Sequence, residues 1–219
     1  MKVALCSDVH LEFGTISLEN TEGADVLILS GDICVAKEVF ARDTYNLRGE
    51  HDKSNKIHTF FQECSARFPH VIYILGNHEH YHGDFAKSLT NLRTNLGYLV
   101  NLHILEKECI DIKGTMFFGG SLWTDMNKGD PMTMHAIEGM MNDFRIIRND
   151  KRNYAPMSAL DVAIRHDKTL GYIKLVLQEH RDAKCVVVGH HSPSFQSVNP
   201  MYAHETLMNG GYHSDLSEF

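Results

Sequence analysis

At 219 residues the chain is long enough for one sizeable hydrophobic core and short for two, so a single domain over 1–219 is the expectation. Its 43% hydrophobic and 22% charged content is that of an ordinary globular protein. A formal net charge of −7 argues against a general nucleic-acid or anionic-membrane binder, yet leaves an anionic substrate open, because bound divalent ions would be the largest local charges.

A first strand, about residues 2–7, runs into Asp8-Val9-His10, and after a loop a second, about 25–30, runs into Gly31-Asp32. Residues 42–55 are polar and aperiodic, which predicts an exposed loop. A helix over 56–67 follows, with Ile57, Phe60, Phe61, Cys64 and Phe68 at three- and four-residue spacing until Pro69 stops it. The third strand, 71–75, ends abruptly at Gly76-Asn77-His78-Glu79, and a helix over 84–96 carries Phe85, Leu89, Leu92 and Leu96 on one stripe. Strand, helix, strand order predicts right-handed parallel crossovers with helices on the outer face of the sheet.

The pattern then changes. Three strands, near 103–106, 109–112 and 115–123, read as an antiparallel meander, a second sheet packed on the first. The expected fold class is therefore α/β, with four layers in the order helix, sheet, sheet, helix and two packed mixed sheets. Thr133–Phe144 has helical character, and Ser158 with Asp161 marks the start of a long helix to about Arg181. The strand Cys185–Val188 then reaches Gly189-His190-His191. The end of the chain, from Ser214, predicts a first helical turn with Ser214 as its cap.

Four apolar runs thus each discharge Asp, Asn or His at a strand end, the usual place for chemistry in such sheets. Asp8 and His10 are two apart and can turn to one ion; Asp32 has two oxygens that can bridge two ions; Asn77 and His190 extend the set. Carboxylate, amide and imidazole together suit Mn²⁺, Fe or Zn²⁺ better than Mg²⁺ or Ca²⁺. Such a pair of ions polarises a phosphoryl group and makes hydroxide from water, and the leaving oxygen then needs a proton. His78 is placed to donate it, and Glu79 to orient or bias the imidazole. His80, His82 and His191 are candidate lining of the substrate cleft, with solvated loop positions the alternative for His80 and His82. His166 on an apolar helix face reads as a core histidine, and Arg145, Arg148, Lys151 and Arg152 as a solvated run.

Asp8-x-His10, Gly31-Asp32, Gly76-Asn77-His78-Glu79 and Gly189-His190 resemble, in order and setting, the signature of the calcineurin-like metallophosphoesterase superfamily. Gly120-Ser-Leu-Trp-Thr-Asp125 and His190-His-Ser-Pro-Ser194 extend the likeness to bacterial and phage members. The resemblance implies two divalent metal ions, Asp8, His10 and Asp32 on one, and Asp32, Asn77 and His190 on the other, with His78 as general acid. It also implies hydrolysis of a phosphomonoester or phosphodiester, a small molecule or nucleotide, by a metal-activated hydroxide. The continuation Gly31-Asp-Ile-Cys-Val-Ala-Lys37 departs from the Gly-Asp-x-Val-Asp-Arg-Gly of the protein Ser/Thr phosphatases. Members also end the site with Gly-His-x-His, and no such motif follows His190-His191 here, so the C-terminal part of the domain is expected to be missing. His191, His204 or His213 is then the candidate replacement ligand, and a non-catalytic metal-binding remnant is the alternative function. Scattered cysteines, odd in number and without a Cys-x-x-Cys pair, together with Met1-Lys2 leading straight into a strand and no apolar run of membrane-spanning length, predict a cytoplasmic protein.

Overall fold

The computed structural model describes residues 1–42 and 50–218. In chain order the elements are β1 (Val3–Cys6), β2 (Val26–Ser30), α1 (Glu50–Arg67), β3 (His70–Ile74), α2 (Phe85–Leu96), β4 (Leu102–Ile104), β5 (Glu108–Ile112), β6 (Thr115–Gly120) and α3 (Met126–Gly129). Next come α4 (Pro131–Met140), α5 (Asp143–Ile146), β7 (Arg148–Asn149), β8 (Ala155–Pro156), α6 (Ala159–Glu179), β9 (Lys184–Gly189) and α7 (Thr206–Asn209). No helix among the described residues is long and apolar enough to cross a membrane.

The first sheet has the order β1-β2-β3-β4 and is parallel throughout. The second has the order β5-β6-β9, antiparallel between β5 and β6 and parallel between β6 and β9. Alternation along the strands builds the layers. Leu27 and Leu29 of β2, with Val71 and Tyr73 of β3, face α1 and α2 and pack on Phe60, Phe61, Leu92 and Leu96. Val26 and Ile28, with Ile72 and Ile74, face the other way onto Ile112, Phe117 and Val188 of the second sheet. Phe118 points outward from that sheet onto Ile173 and Val176 of α6. The result is the four-layer α/β/β/α arrangement. A separate apolar cluster of Phe85, Trp123, Ile137, Phe144, Ile147 and Val162 sits under the segment between β6 and α6.

Helix ends follow their side chains. Asp84 accepts from the Ala86 and Lys87 amides at the start of α2, and Ser158 and Asp161 cap α6 reciprocally.

Several expectations are corrected. The helix after β2 begins at Glu50, inside the stretch read as a loop; residues 43–49 of that stretch lie outside the described residues. The first strand of the expected meander is β4, which joins the parallel sheet instead. It follows α2 as one more strand-helix-strand crossover, and Leu105 N–H donates to Tyr73 O at 2.8 Å. Mixing of strand directions is therefore confined to the second sheet. The 133–144 helix is divided into α4 and α5, with Met141 extended between them. No helix begins at Ser214. Its hydroxyl accepts from the Asp125 amide at 2.9 Å and its own amide donates to Ser192 O at 3.0 Å, so this segment is spent on tertiary bonds.

Gly119 of β6 tests the packing that positions β9. A Cβ there would lie 1.8 Å from the Val188 carbonyl oxygen on the paired strand. Gly119→Ala is expected to cost about 3 kcal/mol in urea unfolding. Gly171→Ala, in α6 with open space around it, should instead stabilise by about 0.5–1 kcal/mol.

Candidate active site

The parallel pairing of β1 with β2 runs on past both strands. Asp8, His10 and Leu11 donate backbone N–H groups to the carbonyls of Gly31, Asp32 and Ile33 at 3.1, 3.0 and 2.9 Å. Asp8, His10 and Asp32 all have left-handed backbones, with φ of 55°, 50° and 54°, a conformation that short polar side chains tolerate better than most. These turns bring the strand-end side chains together over the sheet. Gly76 makes room for them: a Cβ there would lie 2.1 Å from Asp32 Oδ1 and 2.8 Å from His190 Nε2.

Donor atoms of Asp8, His10 and Asp32 lie within 4.8 Å of one another. His10 Nε2 is 3.9 Å from both Asp8 Oδ1 and Asp32 Oδ2. The other Asp32 oxygen is 3.5 Å from His190 Nε2, which is itself 3.2 Å from Asn77 Oδ1. Two donors each about 2.1 Å from a shared ion lie roughly 3.0–3.4 Å apart. The contacts of His190 with Asn77 and Asp32, at 3.2 and 3.5 Å, are close to that spacing, and those of His10 with Asp8 and Asp32, at 3.9 Å, are wider. Both groups have the mixed N/O chemistry that divalent cations accept. The donors are held from behind. His190 Nδ1 donates to Ser30 O at 2.8 Å, which turns Nε2 inward. The Asn77 side chain bonds the buried Asp143 carboxylate, to which Tyr81 also donates at 3.1 Å, leaving the Asn77 oxygen for His190's side of the site.

His78 lines the same cleft, of about 550 Å³, with the six residues Asp8, His10, Asp32, Asn77, His190 and His191. Its ring stacks on Tyr81 at 3.9 Å, and its Nδ1 is 2.8 Å from Glu12 Oε1. Burial opposes the protonated ring, but the Glu12 carboxylate and the charge of Asp32 outweigh it and raise the His78 pKa. Burial likewise works against the Glu12 carboxylate, yet the His78 and His10 rings hold its pKa below the usual value. Met140, Met141, Met208 and Tyr212 form the apolar side of the cleft.

Glu79 does not orient His78. It is fully buried and accepts instead from the amides of Asp32 (3.0 Å), Ile33 (2.7 Å) and Gly76 (2.7 Å) and from the Tyr73 hydroxyl (2.7 Å). Burial, and next to it the charge of Asp32, raise its pKa. Its part is to clamp two strand-end turns together.

His80 and His82 also depart from expectation. His80 is buried between Phe85 and Trp123 and bonds the Asp84 backbone, away from the cleft. His82 lines a separate hollow with Lys87, Arg148 and Tyr154. His191 does line the cleft, stacked on Trp123 with its Nδ1 donating to Ser121 O at 3.2 Å. His213 donates to Asn209 O and faces an adjoining hollow, and neither it nor His204 lines the cleft. His166 is buried against Leu122 O, as a core histidine.

Sequence reading missed Glu12, Tyr81 and Asp143. Glu12 left a signal, an acid two residues beyond His10, where a metal-binding histidine often finds the acceptor for its other nitrogen. Asp143 left none, because the fold alone carries it to Asn77.

The model of one family, described as calcineurin-like phosphoesterase, matches residues 1–209. Among solved structures, the crystal structure of a phosphopantetheinyl hydrolase from Mycobacterium tuberculosis superposes with a TM-score of 0.65 at 15% identity, covering 98% of this chain and 76% of that one. At that identity the likeness speaks for the fold alone. A comparison with curated proteins gave no match.

Two outcomes test the buried groups. Glu79→Ala strands the amides of Asp32, Ile33 and Gly76 and the Tyr73 hydroxyl, and should cost about 3–5 kcal/mol in thermal unfolding. A loss under about 1 kcal/mol would mean that the clamp is not a clamp. Burial, with the Arg165 charge, pushes His80 down from 6.5 to about 3. The unfolded chain then takes up a proton below pH 6.5 that the folded one refuses, so stability is full above pH 6.5 and declines as pH falls toward 3. His80→Leu should flatten the pH 6-to-4 slope by about 1.4 kcal/mol per unit.

Proposed function

Because the chain belongs to the calcineurin-like phosphoesterases, hydrolases of phosphoester bonds that generally depend on metal ions, we propose that it cleaves a phosphomonoester or phosphodiester at a two-ion centre, with His78 as general acid. Two divalent ions, held by Asp8, His10 and Asp32 at one position and by Asp32, Asn77 and His190 at the other, would supply Lewis acidity and acidify the attacking water. The donor set favours Mn²⁺, with Fe or Zn²⁺ as alternatives.

The observation that carries this reading is the placing of Asp32. Its two oxygens face different partners, His10 at 3.9 Å and His190 at 3.5 Å, which supports a carboxylate shared between two ions. His78 stands beside it, its amide donating to Asp32 Oδ1 at 2.9 Å and its ring opening on the cleft. With Nδ1 taken by Glu12, the remaining ring nitrogen is the one that can protonate a departing oxygen. Asp143 and Tyr81 fix the Asn77 amide, and the Met140, Met141, Met208 and Tyr212 wall offers apolar contact to the organic part of a small phosphoester or nucleotide.

Hydrolysis of an aryl phosphodiester and an aryl phosphomonoester, with bound Mn²⁺ counted on the same sample, tests the proposal. His78→Ala should lower kcat by about 100-fold or more without loss of metal. Asp32→Ala should empty both positions. A fully loaded Asp32→Ala protein, or a His78→Ala protein with wild-type turnover, would sink the reading and favour a metal-binding remnant.

A further inference from the structure

We propose that Glu12 is a positioning residue that sets two imidazoles at once, turning His10 toward Asp8 and Asp32 and turning His78 toward the leaving oxygen; this rests on the phosphoesterase reading above. One oxygen makes both contacts. Glu12 Oε1 is 3.1 Å from His10 Nδ1 and 2.8 Å from His78 Nδ1. An ionised carboxylate only accepts, so both rings donate Nδ1–H and both leave Nε2 for the cleft. For His10 this is the nitrogen that faces Asp8 and Asp32.

Among the described residues, Glu12 Oε1 is the acceptor that the two rings share. They meet nearly edge to face, 4.4 Å between centroids at 74°, and Glu12 sits behind both with a side chain only 10% exposed. Its second oxygen, Oε2, is buried without a hydrogen-bond partner, and the carboxylate is held by the two histidine rings and by the backbone amide of Glu12 itself. Glu12 itself is well placed to be rigid. Leu11 beside it is buried in the core under the first sheet, and Phe13 N–H closes a turn onto His10 O at 2.9 Å. Asp8, His10 and Glu12 thus come from one turn, and a single carboxylate links the orientation of a metal donor to that of the proton donor. An ion drawing on His10 Nε2 makes Nδ1–H a better donor and strengthens the same bond.

The first measurement needs neither metal nor substrate. Imidazole nitrogen shifts of the metal-free protein, taken at alkaline pH where the rings are neutral, should show His10 and His78 as Nδ1–H tautomers. Glu12→Ala should turn both into mixtures, and Glu12→Gln, which keeps an acceptor oxygen, should restore part of the order. An Nε2–H form at either ring of the wild type overturns the proposal, whatever any variant does.

The second measurement separates positioning from mere structure. At saturating Mn²⁺, Glu12→Ala should slow an alkyl phosphodiester by about 100-fold, but a p-nitrophenyl ester, whose leaving group departs without a proton, by about 10-fold or less. Mn²⁺ should bind about 10–100-fold more weakly at one position. Equal slowing of both esters, with unchanged metal affinity, overturns it. Wild-type protein that cleaves neither ester would instead remove the phosphoesterase reading, while the nitrogen shifts still decide whether Glu12 holds the rings.

Discussion

The buried carboxylate of Glu79 is the constraint on which the site depends. It collects amides from the turn after β2 (Asp32 and Ile33) and from the turn after β3 (Gly76), and closes the set with the Tyr73 hydroxyl. Those amides have no strand partner once the chain leaves the sheet, and burial would make each costly if left alone. One acceptor therefore settles several donors and fixes how far the two turns stand apart. Asp32 and Asn77 are carried on those turns, so the spacing of the donor groups is inherited from a bond that touches neither side chain.

The second sheet is tied to the first at the same place. Ser30, the last residue of β2, donates through its hydroxyl to Gly189 O at 2.5 Å and accepts His190 Nδ1 on its carbonyl at 2.8 Å. The apolar layer of Val26, Ile28, Ile72, Ile74, Phe117 and Val188 pulls the sheets face to face, and these two bonds set their register where β9 ends. His190 consequently arrives opposite Asp32, although 158 positions separate them in the chain, 190 against 32. The left-handed turns at Asp8, His10 and Asp32 are tolerated because the backbone bonds on both sides over-determine them.

Around this frame the polar groups form nested supports. Asp143 and Tyr81 hold Asn77, Glu12 holds His10 and His78, and Ser30 holds His190. Buried acids and rings in such a setting shift one another: His78 is raised by Glu12 and Asp32 against its burial, whereas His80 and His191, without a carboxylate beside them, are kept neutral by burial. Two histidines of the same short stretch, His78 and His80, thus differ in chemistry because one opens on carboxylates and the other on Phe85 and Trp123.

Sequence by itself determined the strand-end positions of Asp8, His10, Asp32, Asn77, His78 and His190, the helices over α1, α2 and α6, and the layered α/β class. These are local matters: apolar period, a Gly or Pro that ends a run, and a capping residue such as Ser158 leave their mark within a few residues. Only the tertiary structure decided that β4 completes the parallel sheet, that Ser214 is spent on Asp125 rather than on a helix, and that Glu79 faces two turns while Glu12 faces two histidines. An acidic side chain near a histidine in sequence, Glu79 beside His78 or Glu12 beyond His10, names a candidate partner without fixing which way it points. Which buried donors remain unpaired after the sheets close is settled by contacts between distant segments, and those donors choose the acceptor.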